Sequence, residues 1–408
     1  MNTSGTDLNE MELKMLKEFR KALSDVLTPK HTDAILLKWL RARNFNLKKC
    51  ELLFRQNLWG RAVYKIDTLR SNFIKQEVAE KYEFTSYLGA AKDGTPLRYI
   101  ALGRGDFYGF LMSMSTFDIL LYCTYLIEHD VQRTIEQTEK VGREINEITY
   151  IFDLEYFSVH QYAHASVIEL GLDMVKNVQD YYPEIWKNIL AVNVPFFFYQ
   201  AFNILRPILS NTLLQNIRVA SKEATPELLL EYVDPEVLPA FLGGQRVDSK
   251  DDPMCSEFIK FGGIIPEEYY LCKQTHLQKK NFETETVWIA ARSYYNHPIV
   301  VQETDSIIRV DVRIEGGSLA TTLLYRPFGK DSAEPDLRMK DERLDPHNEK
   351  HNVLLISPCV KLQAHLAPVS YHNYAPWPGI YILKFDNSSS WLTSRRIDYS
   401  FRVEPPSS

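Results

Sequence analysis

The spacing of apolar residues changes along this sequence of 408 residues. Residues 8–75 show helical spacing, with Thr32 or Asp33 and then Asn46 as candidate N-caps. Residues 76–247 alternate apolar strands with helices, whereas residues 248–280 have no clear period. Residues 281–405 follow a period of two, which is typical of strands with one buried face. The pattern predicts a helical subdomain, an α/β domain, a linker and an all-β domain.

Individual elements can be placed on this division. Strands are predicted over 97–102, 148–152 and 189–194, helices over 117–137 and 163–178, and period-two strands over 308–315 and 396–403. Residues 330–350 are too polar to pack and are predicted to form a mobile loop. Because the period changes across an irregular linker, we expect each side to bury its own core. The β domain should then be dispensable for whatever the α/β domain holds.

The most apolar segment of the chain is the helix predicted over 196–209. Its polar positions fall on one narrow arc, while a much wider arc is apolar: Phe197, Phe198, Ala201, Phe202, Ile204, Leu205, Ile208 and Leu209. Each such side chain is worth roughly 1.5–3 kcal/mol when buried, so this face cannot stay in water. Two interpretations remain open, an ordinary core helix and a lid over a lipid-sized cavity.

Composition narrows the class of protein. The chain is 45% hydrophobic and 25% charged with a net charge of −6, which is typical of globular proteins and gives no overall nucleic-acid footprint. Its five cysteines form no Cys-x-x-Cys pair, which favours a reducing compartment. We expect no signal peptide, because the first residues are polar, and no membrane span, because Arg206 and other polar residues interrupt 189–209.

Positive charge is concentrated near the N-terminus. Residues 38–75 contain ten bases and two acids, a local charge of +8. The segment is either a solvated helical face or a surface attracted to anionic lipid head groups, where each base contributes about 1 kcal/mol. The second interpretation makes five bases membrane-facing: Lys38, Arg41, Arg43, Lys48 and Lys49.

Signatures of catalysis and metal binding are missing from the sequence. Residues 103–109 are glycine-containing, but their third glycine is one residue late for a dinucleotide loop. Neither a phosphate-binding loop nor a Gly-x-Ser-x-Gly nucleophile motif occurs. His160 and His164 lack the glutamate that metalloprotease chemistry needs between them. We therefore predict no enzymatic activity, no metal and no cofactor.

Several short motifs together resemble one family. They are LKWLRARNF at 37–45, DGTP at 93–96, GFL at 109–111, FDL at 152–154, YPE at 182–184, NILRP at 203–207 and LP through GG at 238–244. In this combination the sequence resembles CRAL-TRIO lipid-binding proteins that carry a C-terminal GOLD domain. Residues 364–368 and 378–387 resemble GOLD, whereas residues 316–321 replace the family's Pro-Gly and Trp. The resemblance implies a mixed α/β sheet with a gate helix over an apolar pocket, followed by a β-sandwich.

The resemblance also assigns candidate site residues. It implies a pocket and gate formed by Tyr125, Phe152, Leu172, Val175, Phe197, Phe198, Ala201, Phe202, Leu205 and Ile208. Pro207 would interrupt the helix and mark a hinge. Arg206 is either a head-group contact or an exposed arginine at the gate. Tyr156 departs from the family, which usually has glycine after Asp-x-Glu.

The function implied by the resemblance is carriage of one hydrophobic molecule between membranes by a cytoplasmic, peripherally membrane-associated protein. The ligand would be phosphatidylinositol, a tocopherol-like isoprenoid or squalene, and the sequence does not distinguish them. The alternative is a lipid-sensing trafficking adaptor that binds a protein partner through its GOLD domain. Neither function needs nucleic acid.

Overall fold

The fold begins with helices. The structure is a computed structural model that describes residues 8–158, 164–198, 202–203, 206–209, 211–273, 284–328, 344, 346, 353–357, 359–365 and 368–406. The N-terminal helices are α1 (Glu10–Ala22), α2 (Asp33–Arg41), α3 (Leu47–Val63), α4 (Leu69–Asn72) and α5 (Glu77–Lys81). The Thr32 side chain accepts a hydrogen bond from the backbone N–H of Ile35, and Asn46 caps α3 in the same way. These are the caps that the sequence predicts, with Thr32 rather than Asp33 in the first case.

A five-stranded mixed sheet follows. Its strands are β1 (Thr85–Ala90), β2 (Pro96–Ile100), β3 (Ile148–Asp153), β4 (Trp186–Val192) and β5 (Ile217–Val219), in that spatial order. Only the β1–β2 pair is antiparallel. The connecting helices are α6 (Phe107–Ser113), α7 (Thr116–Val141), α8 (Ala165–Tyr181), α9 (Asn211–Gln215) and α10 (Thr225–Tyr232). The mixed α/β architecture expected from the sequence is confirmed.

The two faces of this sheet are covered by different elements. Tyr150 of β3 packs with Ile127 of α7 and Val178 of α8, so both long helices lie on one face. On the other face, Leu190 and Val192 of β4 pack with α10 and with the segment that follows it. Between β4 and β5 lies the predicted gate, and its described residues are on the α8 face, because Phe198 packs with Phe152 and the turn at 206–208 contacts α8.

The C-terminal part forms two antiparallel sheets. The strands are β6 (Glu285–Ile289), β7 (Tyr294–Val301), β8 (Ser306–Glu315), β9 (Leu319–Arg326), β10 (Leu354–Leu355), β11 (Val360–Leu362), β12 (Val369–Ala375), β13 (Gly379–Asp386) and β14 (Arg395–Glu404). One sheet has the order β10-β9-β13-β7 with β11 also paired to β9, and the other has the order β12-β8-β14-β6. The arrangement fits a GOLD β-sandwich. The loop predicted over 330–350 lies almost entirely outside the described residues.

The β-sandwich does not bury its core alone. Val63 of α3 is fully buried among the core residues of the sandwich, and the ring of Phe117 stacks on Tyr371 at 4.1 Å. Glu169 of α8 accepts hydrogen bonds from Lys361 Nζ at 2.9 Å and from Gln363 Nε2 at 3.1 Å. The expectation of separate cores is therefore wrong. Hydrophobic periodicity shows which residues must be covered, but it does not identify the element that covers them.

The domain boundaries at 8–75, 76–247, 248–280 and 281–405 stay predictions. The predicted linker nevertheless packs closely, since Cys255, Ile259 and Ile265 are buried.

Within the described ranges, no single helix is long and apolar enough to cross a membrane. Helices α6 and α7 meet that test only when taken together, and they are bent by 120° relative to each other.

Candidate functional site

The segment predicted as a gate is fixed where it leaves β4. Asn193 has a positive φ of 51°, and its backbone N–H donates to Thr225 Oγ1 at 3.0 Å. Its side-chain amide donates to Asp153 Oδ1 at 2.7 Å, and the Tyr99 hydroxyl donates to the other oxygen of that carboxylate at 2.7 Å. A buried carboxylate at the carboxyl end of β3 thus anchors the start of the segment.

Beyond this anchor, phenylalanines gather over the end of the sheet. Phe157 lies 6.0 Å from Phe197 and 6.2 Å from Phe198 between ring centroids, and Phe198 lies 6.0 Å from Phe202. We call these four residues the gate cluster. Beneath it lie apolar side chains of the sheet and its loops: Leu102, Phe152, Leu154, Ala191 and Val194. Phe196, by contrast, is 95% exposed.

Helix α8 has two apolar faces. Val167, Leu170 and Val178 are buried, and they pack against residues of α6 and α7. A second face, formed by Ile168, Leu172 and Val175, is only half-buried. The spacing of four and then three residues places these side chains in one row along the helix.

The sheet offers a matching apolar surface at its β5 edge. Ile189 pairs with Ile217 and Ala191 pairs with Val219, so these four side chains point to the same face as Phe152. Ile189 and Ile217 are half-buried, and Val219 is 37% exposed. An incompletely covered apolar surface therefore extends from the gate cluster along the β5 edge, on the face of the sheet that carries α8.

The predicted pocket residues fall into four groups. Phe152, Phe197, Phe198 and Phe202 come together at the gate cluster, and Leu172 and Val175 lie on the half-buried face of α8. Tyr125 lies elsewhere, because its ring stacks on Phe73 at 4.8 Å. Ala201, Leu205 and the side chain of Ile208 lie outside the described residues.

A 3₁₀ turn at Arg206–Ile208 lies within the segment 196–209 that was predicted as a helix interrupted at Pro207. Pro207 occupies the middle of this turn. Because proline cannot donate a backbone hydrogen bond, it favours an interruption of the α-helix at this position. Arg206 is exposed at the first position of the turn. The sequence prediction of a helix interrupted near Pro207 agrees with this local geometry.

Most of the predicted membrane-facing bases have partners within the protein. Lys38 Nζ donates to the carbonyl oxygens of Glu184, at 2.9 Å, and of Asn146, and burial lowers the pKa of Lys38 to about 8. Arg43 pairs with Asp180 at 3.1 Å, and Arg41 pairs with Glu12 at 3.1 Å. These contacts attach the N-terminal helices to the α/β domain or to each other. Of the five bases, Lys48 and Lys49 are exposed.

The turn beside the gate cluster contains Tyr156, the position at which this sequence departs from the family. Tyr156 has a left-handed φ of 69° and is 65% exposed, with the Arg104 guanidinium 4.3 Å from its ring centroid. Left-handed geometry suits glycine, which explains the family's preference at this position. The turn also lies close to Gly103, where an added Cβ would be 2.1 Å from the Glu155 carbonyl oxygen. Sequence reasoning missed Phe157 and the Asp153–Asn193 anchor, because neither belongs to a periodic pattern.

Two small cavities border the α/β domain. One, of about 70 Å³, is lined by residues of α3, α7 and α8, including Asn57, Arg61 and Phe117. The other, of about 80 Å³, lies between Arg43 and the segment around Trp186. Pockets for drug-sized ligands measure roughly 300–1,000 Å³, so each cavity fits a few water molecules rather than a lipid. Among the described residues, no three His, Cys, Asp or Glu side chains are grouped to hold a metal ion.

Comparison with known proteins gives consistent results. Residues 80–244 match the CRAL/TRIO domain, and residues 15–56 match the CRAL/TRIO N-terminal domain. Protein ctg-1 of Caenorhabditis elegans is 22% identical over 377 residues, which cover 91% of each chain. The crystal structure of Sfh5 aligns with a TM-score of 0.50 at 14% identity, covering 68% of this chain and 100% of that chain. The structural likeness at this identity concerns the fold alone.

Proposed function

The chain belongs to the CRAL/TRIO family of lipid-binding and lipid-transfer proteins, and we propose that it holds one hydrophobic lipid beneath the gate cluster and carries it between membranes. The observations that support this most are two incompletely covered apolar surfaces on the same side of the sheet, one on α8 and one along the β5 edge, with phenylalanines gathered at the end of the latter. The proposed role is transport, in which no covalent bond is made or broken.

The driving force for binding would be the covering of that surface. Ile168, Leu172 and Val175 on the helix and Ile217 and Val219 on the sheet retain exposed area. At about 25 cal/mol per Å², each ~100 Å² of apolar surface covered by a lipid chain contributes ~2.5 kcal/mol. An acyl or isoprenoid chain can cover several such areas at once. Phosphatidylinositol, a tocopherol-like isoprenoid and squalene are the candidates.

Entry of a lipid would require movement of residues 196–209. The Asp153–Asn193 anchor supports a fixed pivot at one end, and the 3₁₀ turn around Pro207 supports a hinge at the other. Arg206, exposed in that turn, is the proposed contact for a lipid head group. On this proposal the protein acts in the cytoplasm and associates with membranes peripherally, through surfaces that include Lys48 and Lys49.

A lipid-sensing adaptor is the second candidate. It is favoured by the grip of the β-sandwich on α8, where Glu169 accepts hydrogen bonds from Lys361, Gln363 and Ser318 Oγ. Because the next turns of α8 carry Leu172 and Val175, a lipid that shifts this helix would also move the surface of the sandwich. A protein partner of the GOLD domain could then read lipid occupancy.

Organic extraction of the purified full chain, followed by mass spectrometry, tests the proposal. We expect one lipid class, near one molecule per chain, and accelerated movement of that lipid between donor and acceptor vesicles. A bound lipid without acceleration would favour the adaptor. An extract without lipid, together with no transfer of any of the three candidates, would overturn both.

A further inference from the structure

One end of the β-sandwich presents large apolar side chains to solvent. In the loop between β13 and β14, Trp391 is 75% exposed and Leu392 is 94% exposed. Trp288 lies near the end of β6, the strand that pairs with β14, and is 68% exposed. The adjacent turn between β6 and β7 belongs to the same end, since Ile289 pairs with Arg395. We call residues 387–394 with the turn 290–293 the sandwich tip.

The tip is a built structure. Asn387, only 2% exposed, donates through its side-chain amide to the carbonyl oxygens of Ile289, Ala290 and Thr393 at 2.9–3.1 Å. The backbone N–H of Arg292 donates to the carbonyl oxygens of Asn387 and Ser390. This network connects both loops and holds Trp391 and Leu392 outward. Their exposure is therefore a property of a fixed loop.

The charge around these side chains is positive. Residues 290–293 and 387–396 contain three bases and no acid. The guanidinium of Arg292 lies 4.0 Å from the ring centroid of Trp391. Arg395 lies across the turn between β8 and β9, with its Nη2 3.0 Å from the position that a Cβ on Gly317 would take. Arg396 pairs with Glu315 and Asp398, and Asp386, which adjoins the loop, pairs with Lys384 at 3.0 Å, so Arg292 and Arg395 dominate the charge beside Trp391 and Leu392.

The tip also lies close to the lipid domain. The turn that Arg395 crosses continues into Ser318, whose hydroxyl donates to Glu169 in the second turn of α8 at 3.1 Å. The end of the sandwich that carries the tip therefore contacts the N-terminal part of α8.

We propose that the sandwich tip is a membrane-docking element, in which Trp391 and Leu392 enter the interfacial region of a bilayer and Arg292 and Arg395 face lipid phosphates. Tryptophan prefers the membrane interface, because its ring is apolar and its N–H is polar. Bases beside an inserted apolar pair are attracted by an anionic surface. The proposal rests on the lipid-transfer function above, and it adds a surface that orients the gate toward the membrane.

A membrane fits this surface better than a protein partner does. A stable protein interface buries roughly 800 Å² on each side. A large aromatic side chain contributes only ~150–250 Å², so the two side chains of a narrow loop fall well short of that area. Insertion into a bilayer needs no complementary surface, and the serines and threonine of the loop can remain at head-group depth.

Vesicle binding by the full chain tests the docking element, with phosphatidylcholine vesicles prepared with and without phosphatidylserine. Leu392→Asp should lower the partition coefficient about tenfold or more, the change expected when a leucine loses an apolar environment. Ile264→Asp is the matched control, because Ile264 is 69% exposed and lies outside both the sandwich tip and the +8 segment, and it should change binding less than about twofold. Both variants should retain the lipid of the wild-type protein on extraction, so a failure of docking is distinguishable from a failure of lipid binding.

A fluorescence measurement provides independent support. Wild-type protein should show a blue shift of tryptophan emission when anionic vesicles are added, and Trp391→Phe should bind equally well while losing most of that shift. The proposal is overturned if Leu392→Asp binds vesicles like wild type, or if Ile264→Asp is equally impaired. It is also overturned if the wild-type chain does not bind vesicles and Trp391 is instead required for binding to a protein.

Discussion

Phe198 and Phe196 are separated by only one residue, but their side chains have very different surroundings. Phe198 is half-buried between Phe157 and Phe202, whereas Phe196 is 95% exposed. We predict that Phe198→Asp abolishes retention of lipid and that Phe196→Asp does not. Both variants place the same carboxylate in the same segment, so they differ only in what the original ring contacts.

The size of the effect follows from those contacts. Each aromatic pair is worth ~0.5–1.5 kcal/mol beyond its buried area, and Phe198 makes two. Loss of partial burial and the cost of a carboxylate near apolar groups bring the total to about 3 kcal/mol or more. Since 1.4 kcal/mol is tenfold, lipid affinity should fall by about two powers of ten.

The assay is lipid content per chain after purification, with circular dichroism to confirm that each variant is folded. Retention is preferred to transfer as the readout, because an exposed Phe196 could also contact membranes. Equal lipid content in Phe198→Asp and wild type would refute the gate assignment. Equal loss in both variants would show that charge in the segment matters and that the ring contacts do not.

Three further predictions concern stability. Lys38 loses its proton near pH 8 in the folded protein, whereas the unfolded chain keeps that proton to about pH 10.5. Because the unfolded state then binds more protons, the free energy of unfolding of the wild type, measured relative to Lys38→Met, should rise by up to a few kcal/mol between these pH values. A difference that stays constant with pH in urea titrations would contradict this. Ending the chain at residue 273 should expose Val63 and Phe117, and this loss of burial should lower the melting temperature or cause aggregation. A monomeric fragment with an unchanged melting temperature would instead support separate cores. Tyr156→Gly should relieve left-handed backbone strain and raise stability by up to about 1 kcal/mol in denaturant unfolding, whereas clear destabilisation would mean that the Arg104 contact outweighs the strain.

Long, strongly periodic elements were predictable from the sequence. The alternation over 308–315 and 396–403 corresponds to strands Ser306–Glu315 and Arg395–Glu404, and the helix predicted over 117–137 extends over Thr116–Val141. Short strands were missed, because the three residues of β5 cannot establish a period. Strand β4 begins three residues before the predicted start, since Trp186 to Asn188 mix apolar and polar positions.

The site was less predictable than the fold. The sequence identified Phe197, Phe198 and Phe202 because they lie in one apolar segment, but it placed Tyr125 with them although that ring packs against Phe73. Residues 38–75 carry a charge of +8, yet several bases pair with carboxylates outside the segment, as Arg43 does with Asp180. Composition counts charges along the chain, whereas partners distant in sequence determine which charges remain exposed.

The position of the lipid is the central claim, and cross-linking measures it directly. A photoactivatable form of the lipid identified by extraction would be bound to the full chain, irradiated, and mapped by mass spectrometry of peptides. The account predicts labels on the half-buried face of α8, at Leu172 and Val175, and on the gate cluster at Phe198. Labels confined to the β-sandwich, or to the cavity between α3 and α7, would contradict it.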